Sequence, residues 1–178
     1  MRIAFSGTHR VGKSALLSAV AEALPRHATL DEPYNLLEEE GYEHEGEPSL
    51  EDFVAQLERS LQGFDESGPD TLFDRSPLDL LAYLLTHEDA ESFEIDEWID
   101  RVREAVQTLD LIVFVPIEDP DRIPVPAHED RRLRARIHKQ LERMILDDKY
   151  DLGLDALVVE GNLRARLDMV LERVGASA

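Results

Sequence analysis

An α/β layered fold with a mostly parallel sheet is predicted by three features of this sequence. Five short apolar segments of strand composition alternate with longer segments of helical period. One of them, Leu111 to Val115, is apolar and β-branched without alternation, as expected of a central strand covered on both faces. Pairs such as Gly68-Pro69 and Ser76-Pro77 punctuate the junctions. At 178 residues the chain suits one domain, 1–178, large enough to bury a core without metal or disulfide staples.

The elements follow in order. Arg2 to Ser6 is the first strand, and Ser14 to Leu24 is a helix with Leu16, Leu17, Val20 and Leu24 on one face. Ala28 to Leu30 is a short second strand ending at Asp31-Glu32-Pro33. Ser49 opens a helix running to about Phe64, with Glu51 and Asp52 in the first turn, where the helix dipole favours anions. Thr71 to Phe73 is the third strand and ends in Asp74. Ser76 then caps a helix with Pro77 at its first position, where the missing N–H has no intrahelical partner to lose. A helix is expected over Ile95 to Leu109 and the fourth strand over Leu111 to Val115. A loop carrying Pro116, Pro120, Pro124 and Pro126 leads into a helix from about Glu129 to Leu146. Ala156 to Val159 is the last strand and Leu163 to Val174 the last helix. No repeat or linker divides the chain.

Composition excludes several classes. The formal net charge of -20 argues against long nucleic acid and anionic membrane as partners, because both need Lys/Arg to neutralise phosphate. With no cysteine, disulfides, thiolate metal sites and cysteine nucleophiles are excluded, and the six histidines have no metal-ligand spacing. No apolar run approaches the ~18 residues of a membrane span. The first residues enter a strand pattern at once, so no leader peptide is expected and the cytoplasm is the natural compartment. The charge is unevenly spread. Asp31 to Asp70 carries fourteen acids and one arginine, whereas Arg122 to Arg143 carries seven basic residues against three acids.

One motif carries specific chemistry. Gly7-Thr8-His9-Arg10-Val11-Gly12-Lys13-Ser14 fits G-x-x-x-x-G-K-[ST] at every fixed position, between an apolar strand and an amphipathic helix that continues through Ala15. In such a loop the glycines let backbone N–H groups turn inward around phosphates, and the helix start adds the positive end of its dipole. The motif predicts that residues 7–15 bind an NTP, with Lys13 at the β- and γ-phosphates and the Ser14 hydroxyl on Mg²⁺. His9 and Arg10 occupy variable positions and read either as solvent-facing filler or, for Arg10, as a phosphate contact. A guanine-reading [NT]-K-x-D sequence is absent, which points to ATP. The length leaves little room for the further domains of a mechanical ATPase.

Glu32-Pro33 after the second strand and Asp74-Arg75-Ser76 after the third resemble the signatures of the deoxynucleoside kinase and thymidylate kinase branch of P-loop kinases. With Asp-Arg-Ser-Pro-Leu-Asp and the basic segment after the fourth strand, the whole chain is similar to small bacterial AAA-type ATP-binding proteins akin to nicotinamide riboside kinases. The resemblance implies a three-layer sandwich with a five-stranded parallel sheet in the order 2-3-1-4-5. It also implies roles. Glu32 would be the general base for an acceptor hydroxyl, its bland alternative being a surface acid in an acidic stretch. Asp74 would hold Mg²⁺ and Arg75 would position the acceptor or the transferring group, the alternatives being a helix cap and an ordinary ion pair. The segment about 118–143 would be a lid, with Arg132 and Arg136 as first choices over Arg122 and Arg131, or else a solvated helix face. On the helical wheel Leu133, Ile137, Leu141 and Met144 share one face, and Arg132, Arg136, Lys139 and Arg143 the opposite one.

The expected activity is ATP-dependent transfer of the γ-phosphoryl group to a hydroxyl of a small molecule. A monophosphate acceptor needs several arginines after strands two and three, and only Arg59 lies between Asp31 and Asp70. A neutral or cationic, nucleoside-like acceptor is therefore expected; Tyr34, Tyr42, Phe53 and Trp98 are stacking candidates, although core packing or simple surface placement is the commoner role for each. A nucleoside monophosphate kinase and a regulatory NTPase without small acceptor remain the alternatives, and a homodimer is a possible assembly.

Overall fold

The sheet is assembled around its first strand. In the computed structural model, which describes residues 1–43, 46, 48–126 and 130–175, the chain runs β1 (Arg2–Ser6), α1 (Lys13–Ala23), β2 (Ala28–Leu30), α2 (Pro33–Glu39), α3 (Leu50–Glu66), β3 (Thr71–Asp74), α4 (Pro77–Leu84), α5 (Ile99–Val106), β4 (Leu111–Phe114), α6 (Arg131–Ile145), β5 (Ala156–Val158) and α7 (Leu163–Gly175). All pairings are parallel and the order is β2-β3-β1-β4-β5, as the resemblance implied. Alternation within the central strands feeds two cores. Ile3, Phe5, Leu111 and Val113 face α1 and α7, while Ala4, Phe73, Ile112 and Phe114 face the layer of α3, α4, α5 and α6. Both faces being covered is why these strands lack polar alternation.

One expected helix is shortened and one helix was not expected. The helix over Ile95 to Leu109 is shorter: Ile95–Glu97 forms a 3₁₀ turn, and α5 starts only at Ile99. The Trp98 N–H closes back on Ile95 O, and at the far end the Thr108 and Leu109 amides reach Ala105 and Val106, so both ends tighten into three-residue turns. The helix α2 has no counterpart in the sequence reading, which let the chain run irregularly after Glu32. Pro33 sits at its first position, where proline is pre-set for a helix. The expected start of the sixth helix at Glu129 falls outside the described residues; Asp130 caps it by accepting the N–H groups of Arg132 and Leu133.

The register brings the chemistry to one edge. Phe5 pairs with Asp74 on one side and Val113 on the other, so the loop leaving β1, the Asp74-Arg75 turn and the loop leaving β4 converge at the carboxyl ends of the strands. No helix among the described residues is long and apolar enough to cross a membrane.

Candidate active site

The loop from Gly7 to Gly12 owes its path to its two glycines. Gly7 has φ 151° and a Cβ there would run into the Val115 carbonyl oxygen, while Gly12 has φ 91° with the Arg166 guanidinium 3.2 Å from where a Cβ would sit. Two buried arginines grip the loop from outside. Arg134 donates from Nε to His9 O (3.2 Å) and from Nη2 to Arg10 O (3.4 Å), and Arg166 donates from Nη1 to Val11 O (2.6 Å). Because a trans peptide points its N–H opposite to its C=O, the amides of Arg10, Val11 and Gly12 face the other way, into the loop. Each arginine has its own acid: Asp121 lies 2.9 Å from Arg134 Nη1 and Glu118 2.7 Å from Arg166 Nη2. Burial alone would raise the Glu118 pKa, but Arg166, the Gly161 amide and Arg122 outweigh it and hold the carboxyl at about 2.

Inside the loop the arrangement is different. Lys13, only 5% exposed, donates from Nζ to Thr8 O at 2.9 Å. Burial, reinforced by Arg75, lowers its pKa to about 7 against the pull of Asp79, Asp74 and Glu32. Ser14, at the exposed mouth, places its hydroxyl beside Asp74, whose pKa is raised by burial; among the described residues the buried Asp74 Oδ1 has no partner. That unmet oxygen beside a hydroxyl suits Mg²⁺, which binds through one or two protein oxygens and completes its shell with phosphate and water. Among the described residues no cluster of three or more His, Cys, Asp or Glu forms a protein-only metal cage. Ala15 is exposed in the first turn of α1.

The second and third strands add a linked pair. Glu32, at the start of α2, accepts from Arg75 Nε at 2.7 Å. Arg75 adopts φ 77°, an uncommon conformation for a side chain-bearing residue, and its guanidinium stacks 5.4 Å above the Tyr83 ring. Burial works against the Arg75 charge, yet Tyr83, Glu32 and Asp79 raise its pKa above the ordinary value. The Tyr83 hydroxyl lies 3.2 Å from His9 Nδ1, and its ring stacks on Phe53 at 5.1 Å, with His87 edge-on to Phe53 at 6.0 Å. A wall of Arg75, Tyr83 and Phe53 thus runs from the phosphate loop onto α3.

Of the other residues singled out by sequence, Arg132 and Arg136 are exposed on α6, where their charges lower the Asp130 pKa after the backbone hydrogen bonds from Leu133 and Arg132. Arg122 pairs with Glu118, and Arg131 donates to Val125 O. Tyr42 donates to Asp52, Tyr34 bonds Glu38, and Trp98 stacks on Phe93 beside α5. The residues missed were Arg134, Arg166 and Asp79. Arg134 and Arg166 carry a readable signal: each lies on the apolar face of its helix, with Ile137 and Leu141, or Val170 and Val174, one and two turns on.

A phosphate loop at the hinge of a parallel 2-3-1-4-5 sheet defines the nucleotide-binding P-loop kinase fold. The AAA domain family model matches residues 2–166, and the chain belongs to that family. Among curated proteins none matches in sequence. Solved structures with the same fold include a deoxyadenosine kinase from M. mycoides with dCMP and dCDP bound (TM-score 0.71, 14% identity, all of both chains covered). A thymidylate kinase from Ehrlichia chaffeensis aligns at TM-score 0.64 and 14% identity over 100% of this chain and 98% of that one. The NadR protein in complex with NAD and AMP-PNP aligns at TM-score 0.67 and 16% identity, over 98% of this chain and 49% of that one.

Proposed function

We propose that the protein is an ATP-dependent kinase that phosphorylates a hydroxyl of a neutral or cationic, nucleoside-like small molecule. The observation that carries this reading is the Glu32–Arg75 pair, set beside the phosphate loop with a stacked aromatic wall behind it. An NTPase acting on water alone has no use for such a wall. The inward amides of residues 10–12 and Lys13 receive the β- and γ-phosphates. Ser14 and Asp74 would hold Mg²⁺, which when bound would neutralise charge on the phosphate oxygens. Glu32 takes the acceptor proton as the acceptor oxygen bonds to the γ-phosphorus and the β–γ bridging oxygen leaves with ADP. Arg75 orients the Glu32 carboxylate and lies near the transferring group, and Arg132 and Arg136, exposed on α6, are the lid cations.

The acceptor class follows from charge and shape. Arg59, the lone arginine of the acidic flank, is paired with Glu40 at 2.8 Å, leaving little to neutralise an acceptor phosphate there. Gln56, one turn beyond Phe53, is buried with no partner for its Nε2 among the described residues, a donor suited to a heterocycle. The test is ADP release with a panel of nucleosides, nucleoside monophosphates and amino alcohols, run with wild type and Glu32→Gln. A nucleoside-class compound should speed ADP release, and Glu32→Gln should lower that rate by about 10²–10⁴-fold while ATP affinity stays within a few-fold. Equal transfer by Glu32→Gln would remove Glu32 as base, and selective response to a monophosphate would overturn the acceptor class.

A further inference from the structure

Asp79 is a fully buried carboxylate that the phosphoryl-transfer scheme leaves unused. It is the third residue of α4 and closes a capping box with Ser76, whose N–H donates to Oδ2 at 2.9 Å. A cap needs no more than this. Yet the same carboxylate also accepts the Ser6 hydroxyl on Oδ2 (2.7 Å) and the Gly7 N–H on Oδ1 (2.9 Å), and Oδ1 lies 3.8 Å from Arg75 Nη1. One side chain therefore binds the last residue of β1, the first residue of the phosphate loop and the turn that carries Asp74 and Arg75.

We propose that Asp79 is a positioning residue that locks the first peptide of the phosphate loop against the Asp74-Arg75 turn, so that the loop is preformed for nucleotide. The Gly7 peptide cannot be fixed by a side chain of its own, since any Cβ would strike the Val115 carbonyl. Its orientation depends on what its N–H meets. An asparagine at position 79 keeps the shape but turns one oxygen into a donor, which then faces Gly7 N–H or the Ser6 and Ser76 donors. The mismatch frees the peptide to rotate.

The sign of the effect separates positioning from simple electrostatics. A buried negative charge near the phosphate site repels nucleotide, so if charge were all that mattered, Asp79→Asn would tighten Mg·ADP. Positioning requires the opposite. The inference rests on nucleotide binding alone and is independent of the acceptor class. Calorimetric titration with Mg·ADP should show wild type binding, Asp79→Asn binding about tenfold or more weakly, and Ser76→Ala, which weakens the cap but keeps the Gly7 contact, within threefold of wild type. Unchanged or tighter binding by Asp79→Asn, or equal weakening by Ser76→Ala at a similar loss of Tm, overturns the proposal. Should Asp79→Asn fail to fold, hydrogen exchange in the wild type decides: a preformed loop keeps the Gly7 amide on Asp79 strongly protected before nucleotide is added, and exchange as fast as that of an open loop amide overturns the proposal.

Discussion

Cations hold the phosphate loop from both sides, and the two sides obey opposite rules. On the outside, Arg134 and Arg166 give their donors to loop carbonyls and have their charges answered by Asp121 and Glu118. On the inside, Lys13 has one carbonyl partner, no carboxylate of the described residues within salt-bridge distance, and a pKa pulled down to about 7, chiefly by burial. The outer cations have carbonyl and carboxylate partners before any ligand arrives, although Arg166 Nε meets none among the described residues. The inner one is kept short of partners, which under the proposed function leaves its charge for a phosphate to meet. Stability and function are thus separated across the thickness of a six-residue loop.

Removing an inner cation should therefore destroy function at little cost to the fold. Lys13→Ala is expected to lower turnover by about 10³-fold or more, as for other donors aimed at transition-state charge. Its Tm should match or exceed that of wild type, since a poorly compensated buried charge has been deleted. A large loss of Tm would show that Lys13 is structural, and would erase the contrast.

Arg166→Met should do the reverse. It leaves the Val11 carbonyl and one side of Glu118 unanswered, with Arg122 and the Gly161 amide still in place. Breaking a buried pair in this way costs about 3 kcal/mol, or ~6–12 °C in Tm for a chain of this size. Nucleotide affinity should suffer far less than in Lys13→Ala once the protein is kept below its melting range. Thermal melts and Mg·ADP titrations on the two variants give a double dissociation; parallel losses in both assays would mean that the loop responds as one unit.

The inner side was legible in the sequence because its residues are local. Gly7, Gly12, Lys13 and Ser14 lie within one turn and its helix, where spacing alone dictates which groups can meet a phosphate. The outer side was not, because Arg134 reaches His9 and Arg166 reaches Val11 across separations of 125 and 155 residues. Helical-wheel reasoning favoured Arg132 and Arg136, the cations on the polar face, and passed over an arginine on the apolar face. That position is the informative one: a charge placed among Ile137 and Leu141 is stable only if the fold provides buried acceptors for it. The sheet was readable from its apolar runs, and α4 from Ser76 and Pro77. The seven-residue α2 was not, because its pattern is too short for a helical period to emerge and its acids resemble a loop.

The smallest of these effects is a dependence on pH that belongs to the outer side. Glu118 has a folded-state pKa of about 2 against an ordinary value of 4.5. A carboxyl depressed in this direction contributes stability that is fully present above its unfolded value and is lost as pH falls from about 4.5 toward 2. Asp70 and Asp130 are depressed as well, so the acid limb of the wild-type curve is a composite. Glu118→Gln isolates one contribution: its stability deficit in urea unfolding should be constant from about pH 7 to 5, then shrink as the pH drops, because protonated Glu118 and glutamine are electrically alike. A deficit that stayed constant down to pH 3 would mean that Glu118 holds Arg166 by shape and hydrogen bonding alone. The outer brace would then be no more electrostatic than the Gly161 amide beside it.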